Sequence, residues 1–299
     1  MVRDYVADFL ENRSIKKEIE LNEYVEESIN ILEDCDSIVR DIIYKNLDFL
    51  NSKNHFAIMF DMYERSYEYV CGSLSLLVVG QLQSCEASCR TAIEGAVNLH
   101  FVSLGDSMGK IISYFRSHFE IEKKQNKNWR DAIDSAEVDE DAKEHHRVLI
   151  DGKNEALNGY ESLLKKAMSD WGINIYDFDP KWPNTYEKFR MIGDEIGYRT
   201  VYAALCSQSH NDPEDLLNHF VCRAFNNEGF TSAKKVEQYF FSVYMVLQAV
   251  KYHVMASAMY LGQFNISCSD LANKFNQALE VMDRAMKKKE ALVSELSEP

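Results

Sequence analysis

Two stretches of the chain set ionisable side chains into otherwise apolar helical segments. The first, Ser84 to Phe101, carries Arg90 and Glu94 one helical turn apart, with Ile93, Val97 and Phe101 on or beside the same face. The second, Gly197 to His210, steps by four through Tyr198, Tyr202, Cys206 and His210, with Arg199 next to the first of these. A charge on an apolar helix has to be paired or hydrogen-bonded, because a bare buried charge is too costly. Arg90 and Glu94 share a helix face at this spacing, and the apolar surroundings predict that they look into a polar centre inside a bundle. The plainer alternative is a salt bridge that fixes helix packing. His210 falls at the predicted C-terminus of its helix, where the dipole favours imidazolium. An imidazolium beside a guanidinium suits a phosphate or another anion. A histidine titrating near the working pH is also the usual general acid or base. His210, Arg90 and Glu94 are thus the candidate catalytic residues. Tyr198, Arg199, Tyr202, Ser207, Ser209 and Asn211 supply hydroxyl, guanidinium and amide groups around them and are the candidate binding residues. The plainer reading of the second stretch is an aromatic core stripe closed by a capping histidine.

Other chemistries leave weaker traces. Glu144, His145 and His146 lie near Asp139 and Asp141, but successive histidines point in different directions on a helix, so no metal site is expected there. Cys85 and Cys89 sit one turn apart, as a metal pair would, and read more simply as small buried hydrophobes. Seven cysteines, an odd number without CxxC spacing, argue against both a zinc ribbon and a disulfide framework. There is no repeated ExxH pair of a di-iron bundle, and no HExxH, GxSxG, P-loop or GxGxxG signature. No cofactor is implied.

The elements that must hold these residues are helical. Only 4 Pro and 12 Gly interrupt 299 residues, and long runs are rich in Glu, Lys, Leu and Ala. Periodicity predicts a first helix from about Leu21 to Leu50 and a second from His55. Gly72 and Gly80 bracket an apolar run that composition would allow as a strand but whose helical flanks make it a buried helix. Leu82 to Leu104 follows. Met108 to Ile133 and an acid-led helix from about Glu137 to Trp171 form a charged hairpin expected to project from the core. Gly172 to Pro183 is the clearest loop. Thr185 to Ile192, Tyr198 to His210, a long aromatic helix capped by Ser232, and a last helix capped by Ser269 complete the chain. The fold class is all-α, divided as an N-terminal segment 1–54, a core 55–262 and a C-terminal helix 263–299.

The net charge of −15 weakens the case for non-specific nucleic-acid binding by the whole surface, while leaving room for a local basic cleft such as Lys123 to Arg130 or Lys287 to Lys289. Both runs read more simply as solvated helix faces. No apolar run is long enough to cross a bilayer and no signal peptide is legible, so the expectation is a cytoplasmic protein without membrane contact.

Taken together, the Arg90-Thr91-x-x-Glu94 helix after a Gly-ended apolar helix, and the Tyr198-x-x-x-Tyr202 helix running into Ser207-x-Ser209-His210, resemble an uncharacterised bacterial family of helical proteins, a domain of unknown function. That family looks related to the HEPN superfamily of helical bundles, and the likeness spans about residues 55 to 262. The resemblance implies a HEPN-like multi-helix bundle, commonly a homodimer, acting as a metal-independent ribonuclease or RNA-binding effector in a toxin or anti-phage system. It implies that His210 handles a proton at the ribose hydroxyl or leaving group and that Arg90 or Arg199 stabilises the charged phosphorane. Active HEPN proteins carry their Arg and His a few residues apart on one helix. Here the steps from Arg199 to His210 and from Arg90 to His100 are longer. A non-catalytic helical module that binds a partner protein or a small anion is the alternative, and a metal-dependent hydrolase using Glu94 and His210 is the third reading.

Overall fold

The computed structural model describes residues 23–208, 217, 220–224 and 228–297, and all regular structure among them is helical. Helix α1 (Glu23–Lys45) places Val25, Ser28, Leu32, Cys35 and Val39 on one buried face at three- and four-residue spacing, with acids opposite. A short α2 (Leu47–Asn51) leads into α3 (Phe56–Val78), which contains the bracketed apolar run as helix. Helix α4 (Leu82–Val102) follows. Helices α5 (Ser107–Ser135) and α6 (Glu140–Asp170) make the charged pair. After these come α7 (Thr185–Met191), a single turn at Glu195–Gly197, a π-helical turn at Tyr198–Tyr202, α8 (Ala203–Gln208), α9 (Glu228–Gln263) and α10 (Ser269–Ser297). Helix α9 begins ahead of the predicted cap at Ser232. No helix among the described residues is long and apolar enough to cross a membrane.

The chain forms two compact units. In the first, which takes the described residues up to Gly105 and from Thr185 onward, α9 is the central element. Val246, Leu247, Val250, Val254, Tyr252, Tyr260 and Leu261 are all buried, so its middle is apolar around most of its circumference. It packs against α10, α4, α3 and α1. Several polar groups in this interior are paired, while Gln248 Oε1, His253 Nε2 and the Tyr260 hydroxyl are buried without a hydrogen bond among the described residues. The Ser66 hydroxyl meets His253 Nδ1 at 3.0 Å, Ser242 Oγ donates to Glu86 at 2.5 Å, and Tyr63 donates to Asp36 at 2.9 Å.

The second unit, Asp106–Asn184, is the α5–α6 hairpin with the loop that follows it. Asp106 and Asp139 cap the two helices by accepting from Gly109 and Ala142 backbone N–H groups. Ion pairs Lys123–Glu161 and Lys153–Glu122 link the helices, and a buried Asn126 donates to Asn154 at 2.8 Å. Ile112, Met168 and Ile175 form its apolar cluster, and Arg116 donates to the Ile175 and Phe178 carbonyls to hold the loop.

Candidate functional site

The site is built on one ridge of α4. Glu86, Arg90, Glu94 and Asn98 recur every fourth residue and drift slowly around the helix. The rest of α4, with Cys85, Cys89, Ala92, Ile93, Ala96, Val97 and Leu99 buried, is committed to the core. From Arg90 onward the ridge meets short elements, α7, the π turn and α8, through Thr185, Lys188, Tyr202 and Cys206.

Those elements are aimed by a tight reversal after α7. Gly193, at φ 81°, takes the left-handed conformation that ends the helix, with its N–H on the Arg190 carbonyl and the Asp194 N–H on the Phe189 carbonyl. Asp194 then caps the next turn by accepting from the Gly197 N–H at 2.9 Å, and its other carboxylate oxygen accepts from the buried Tyr252 hydroxyl of α9. A Cβ at position 197 would lie 2.0 Å from that hydroxyl oxygen, so only glycine fits. The chain continues as a π turn in which the Ala203 N–H reaches back to the Tyr198 carbonyl. The expected single α-helix from Tyr198 to His210 is thus interrupted at its start. Such wide turns are frequent at functional sites.

This path brings Tyr202 and Cys206 to the α4 ridge. Glu94 Oε2 accepts from the Tyr202 hydroxyl at 2.7 Å, and Glu94 Oε1 accepts from the Thr185 hydroxyl at 3.1 Å. Arg90 Nε donates to Cys206 Sγ at 3.3 Å, and its guanidinium carbon lies 5.3 Å from the Tyr202 ring centroid. Arg90 Nη2 stands 4.0 Å from Glu94 Oε2, a loose ion pair, and among the described residues nothing accepts from the Nη atoms at hydrogen-bond distance. One turn on, Lys188 Nζ donates to Asn98 Oδ1 at 2.5 Å.

The electrostatics follow from burial. Lys188 is only 3% exposed, and desolvation pushes its ammonium below the usual lysine range while Glu94 opposes that shift. Burial, then the bond to Glu94, raise the Tyr202 phenol, so it stays a donor. The bond to Cys206 is the largest influence raising Arg90. Glu94 thus influences both the Arg90 guanidinium and the Lys188 ammonium.

One expectation needs correcting. Arg90 and Glu94 do not face a polar centre inside the bundle. Their side chains are 36% and 33% exposed, because the core claims the opposite face of α4. The buried carboxyl is Glu86, which sits against α9. Of the other predicted residues, Tyr198 is a packing group that stacks on Tyr202 and meets Tyr186 and Phe189 edge-on. Arg199 is exposed and paired with Glu195 in its own turn, over the Tyr186 ring. The Ser207 side chain, Ser209, His210 and Asn211 lie outside the described residues.

Sequence reasoning missed Thr185, Lys188, Asn98 and the Asp194–Tyr252 pair. Asn98 was legible as the next four-residue step from Arg90 and Glu94. Lys188 had no local signal, since a lysine on a short polar helix normally reads as solvated. Among the described residues no three His, Cys, Asp or Glu side chains are grouped to hold a metal ion.

No curated protein and no solved structure matches this chain. The family model that does match, that of a family of unknown function, DUF5677, covers residues 56–228, the segment that contains α3, α4, α7 and the π turn. With more than half of its length matched, the chain belongs to the DUF5677 family.

Proposed function

We propose that this is a HEPN-like helical protein that binds a phosphate-bearing ligand, RNA being the class, at the rim formed by Arg90, Glu94, Tyr202 and Cys206. One observation carries the reading. The Arg90 guanidinium is held from two sides, by Cys206 at Nε and by the Tyr202 ring, while its Nη edge is left without a hydrogen-bonded acceptor among the described residues and about a third of the side chain is exposed. A guanidinium fixed in this way is pre-organised for the forked hydrogen bonds that a phosphate accepts. Ser207, Ser209, His210 and Asn211 follow directly in sequence after Cys206, so the reading assigns His210 the proton transfer and Arg90 the developing phosphorane charge, without a metal. The bacterial toxin or anti-phage role and the homodimer belong to the same proposal.

The test is incubation of the purified protein with end-labelled RNA in EDTA, beside Arg90→Ala and His210→Ala. Cleavage that persists in EDTA and is lost in both variants supports a ribonuclease. Binding that is lost in Arg90→Ala without any cleavage supports the second reading, a non-catalytic module for a small anion or a partner. That reading is favoured by the overall acidic charge and by Glu94 standing inside the site. Retention of RNA by Arg90→Ala at wild-type affinity would sink both.

A further inference from the structure

We infer that one exposed face of α6 is the surface on which a second copy of this chain docks, as an antiparallel helix pair about a two-fold axis near Asn154. The inference gives the homodimer of the reading above a surface, and it does not rest on RNA binding. Helix α6 packs on α5 and buries Ile150, Leu157 and Met168 in doing so. A second stripe runs down another face. Leu149, Gly152, Ala156, Tyr160 and Leu163 follow at steps of three and four residues, the spacing of a coiled-coil seam. All five are exposed, Leu149 by 46%, Tyr160 by 64% and Leu163 by 65%. The stripe continues to His145 before it and Ala167 after it, both exposed, with no acid, lysine or arginine on its line. Large apolar side chains in such a row mark an interaction surface.

The occupant follows from the symmetry of the stripe. Gly152 and Ala156 lie equally far on either side of Asn154, and so do His145 and Leu163. Leu149 and Tyr160 are symmetric about it to within one residue. A copy turned by a two-fold axis therefore sets the small residues against each other at the centre, then Leu149 against Tyr160, then His145 against Leu163. This is the self-complementary match that an isologous contact needs. It also accounts for two glycines. Neither Gly152 nor Gly159 has a positive φ, and a Cβ built at either would meet nothing within 4 Å. Glycine weakens an exposed helix, so nothing in this chain alone calls for them, whereas the close approach of a second helix does. Under the same two-fold, Gly159 falls opposite Val148, which is 61% exposed.

Charge sets the orientation. The charges between α5 and α6 are satisfied within the hairpin, Lys153 by Glu122, Lys123 by Glu161 and Arg130 by Asp151. Asp141 and Lys166 are exposed and have no ion pair among the described residues. They flank the stripe on the same side, at its two ends, and are symmetric about Asn154 to within one residue. In an antiparallel pair Asp141 of one copy meets Lys166 of the other, twice. In a parallel pair each would meet its own like charge.

The test is sedimentation equilibrium of the full chain from low micromolar to several hundred micromolar concentration. It compares the wild type with Leu163→Glu, with Asp141→Lys, and with Asp141→Lys combined with Lys166→Asp. All three positions are exposed, so the variants should fold as the wild type does, with circular dichroism as the check. The wild type should dimerise with a Kd of about 10 μM, as one helix pair at the small end of interface sizes implies. Leu163→Glu places an unpaired carboxylate in the seam of each copy and should raise that Kd about a hundredfold. Asp141→Lys puts like charges together twice and should raise it about fivefold, and the double variant should return to the wild-type value. A wild type that stays monomeric throughout overturns the inference. A dimer indifferent to Leu163→Glu overturns this surface and leaves the homodimer to another. A double variant no better than Asp141→Lys overturns the antiparallel arrangement. RNA affinity decides the anion reading separately.

Discussion

Helix α4 supports two polar assemblies, one against α9 and one against α7 and the π turn, and they obey opposite rules. On the α9 side Glu86 is 1% exposed and takes the Ser242 hydroxyl at 2.5 Å, while the neighbouring α3–α9 contact buries Ser66 with His253. These groups are sealed, and sealed polar groups act by fixing how helices register. On the α7 side Arg90 and Glu94 keep about a third of their surface, and the ion pair between them stays loose at 4.0 Å. The difference teaches that burial, rather than the presence of charge, separates structural from ligand-facing polar groups. The sealed set should govern stability and leave binding alone, and the open set should do the reverse.

The largest effect on stability is expected from Gly197→Ala. Its methyl would overlap the Tyr252 and Asp194 oxygens, both locked by their mutual hydrogen bond, and urea denaturation should show a loss of about 3 kcal/mol. An unchanged midpoint would mean that the turn into the site is not constrained by α9.

Acid should act next, through the sealed set. Burial pushes His253 down to about 4 from its ordinary 6.5, with Asp36 opposing. A depressed native value means that the unfolded chain takes up the proton first, so stability is complete above pH 6.5 and is lost as pH falls toward 4. The shift corresponds to about 3 kcal/mol at most. Melting temperatures measured over that window should fall more steeply for the wild type than for His253→Gln. Parallel profiles would contradict the assignment.

Ser242→Ala removes a partner of the buried Glu86 and should cost about 1–3 kcal/mol in a denaturant titration while leaving RNA affinity unchanged. Weakened RNA binding there would erase the distinction between the two faces. Tyr202→Phe, on the open face, should cost only about 1 kcal/mol of stability, because the ring and its stacking on Tyr198 remain. It should nonetheless change RNA affinity, since Glu94 loses a donor that holds it off Arg90.

Much of this architecture was legible. The helical class follows from periodicity and from the scarcity of Pro and Gly, and the Arg90–Glu94 register follows from four-residue spacing alone. The meeting of Tyr202 and Cys206 with α4 fits the stepwise pattern of the second segment. Two features escaped for physical reasons. Exposure of the ridge depends on which neighbours are long enough to cover it, and that is a property of the assembled bundle. The turn that leads into the π segment is fixed by Asp194 meeting Tyr252, a contact across 58 residues that no local pattern encodes, and the burial of Lys188 rests on its docking against Asn98, 90 residues away.

The most direct measurement is equilibrium binding of a fluorescent single-stranded RNA to the wild-type protein, Arg90→Ala and Ser242→Ala at fixed salt, with folding checked by circular dichroism. The account predicts that Arg90→Ala stays folded and loses affinity by about ten- to a hundredfold, while Ser242→Ala is less stable and binds as the wild type does. Equal affinity for wild type and Arg90→Ala would contradict it.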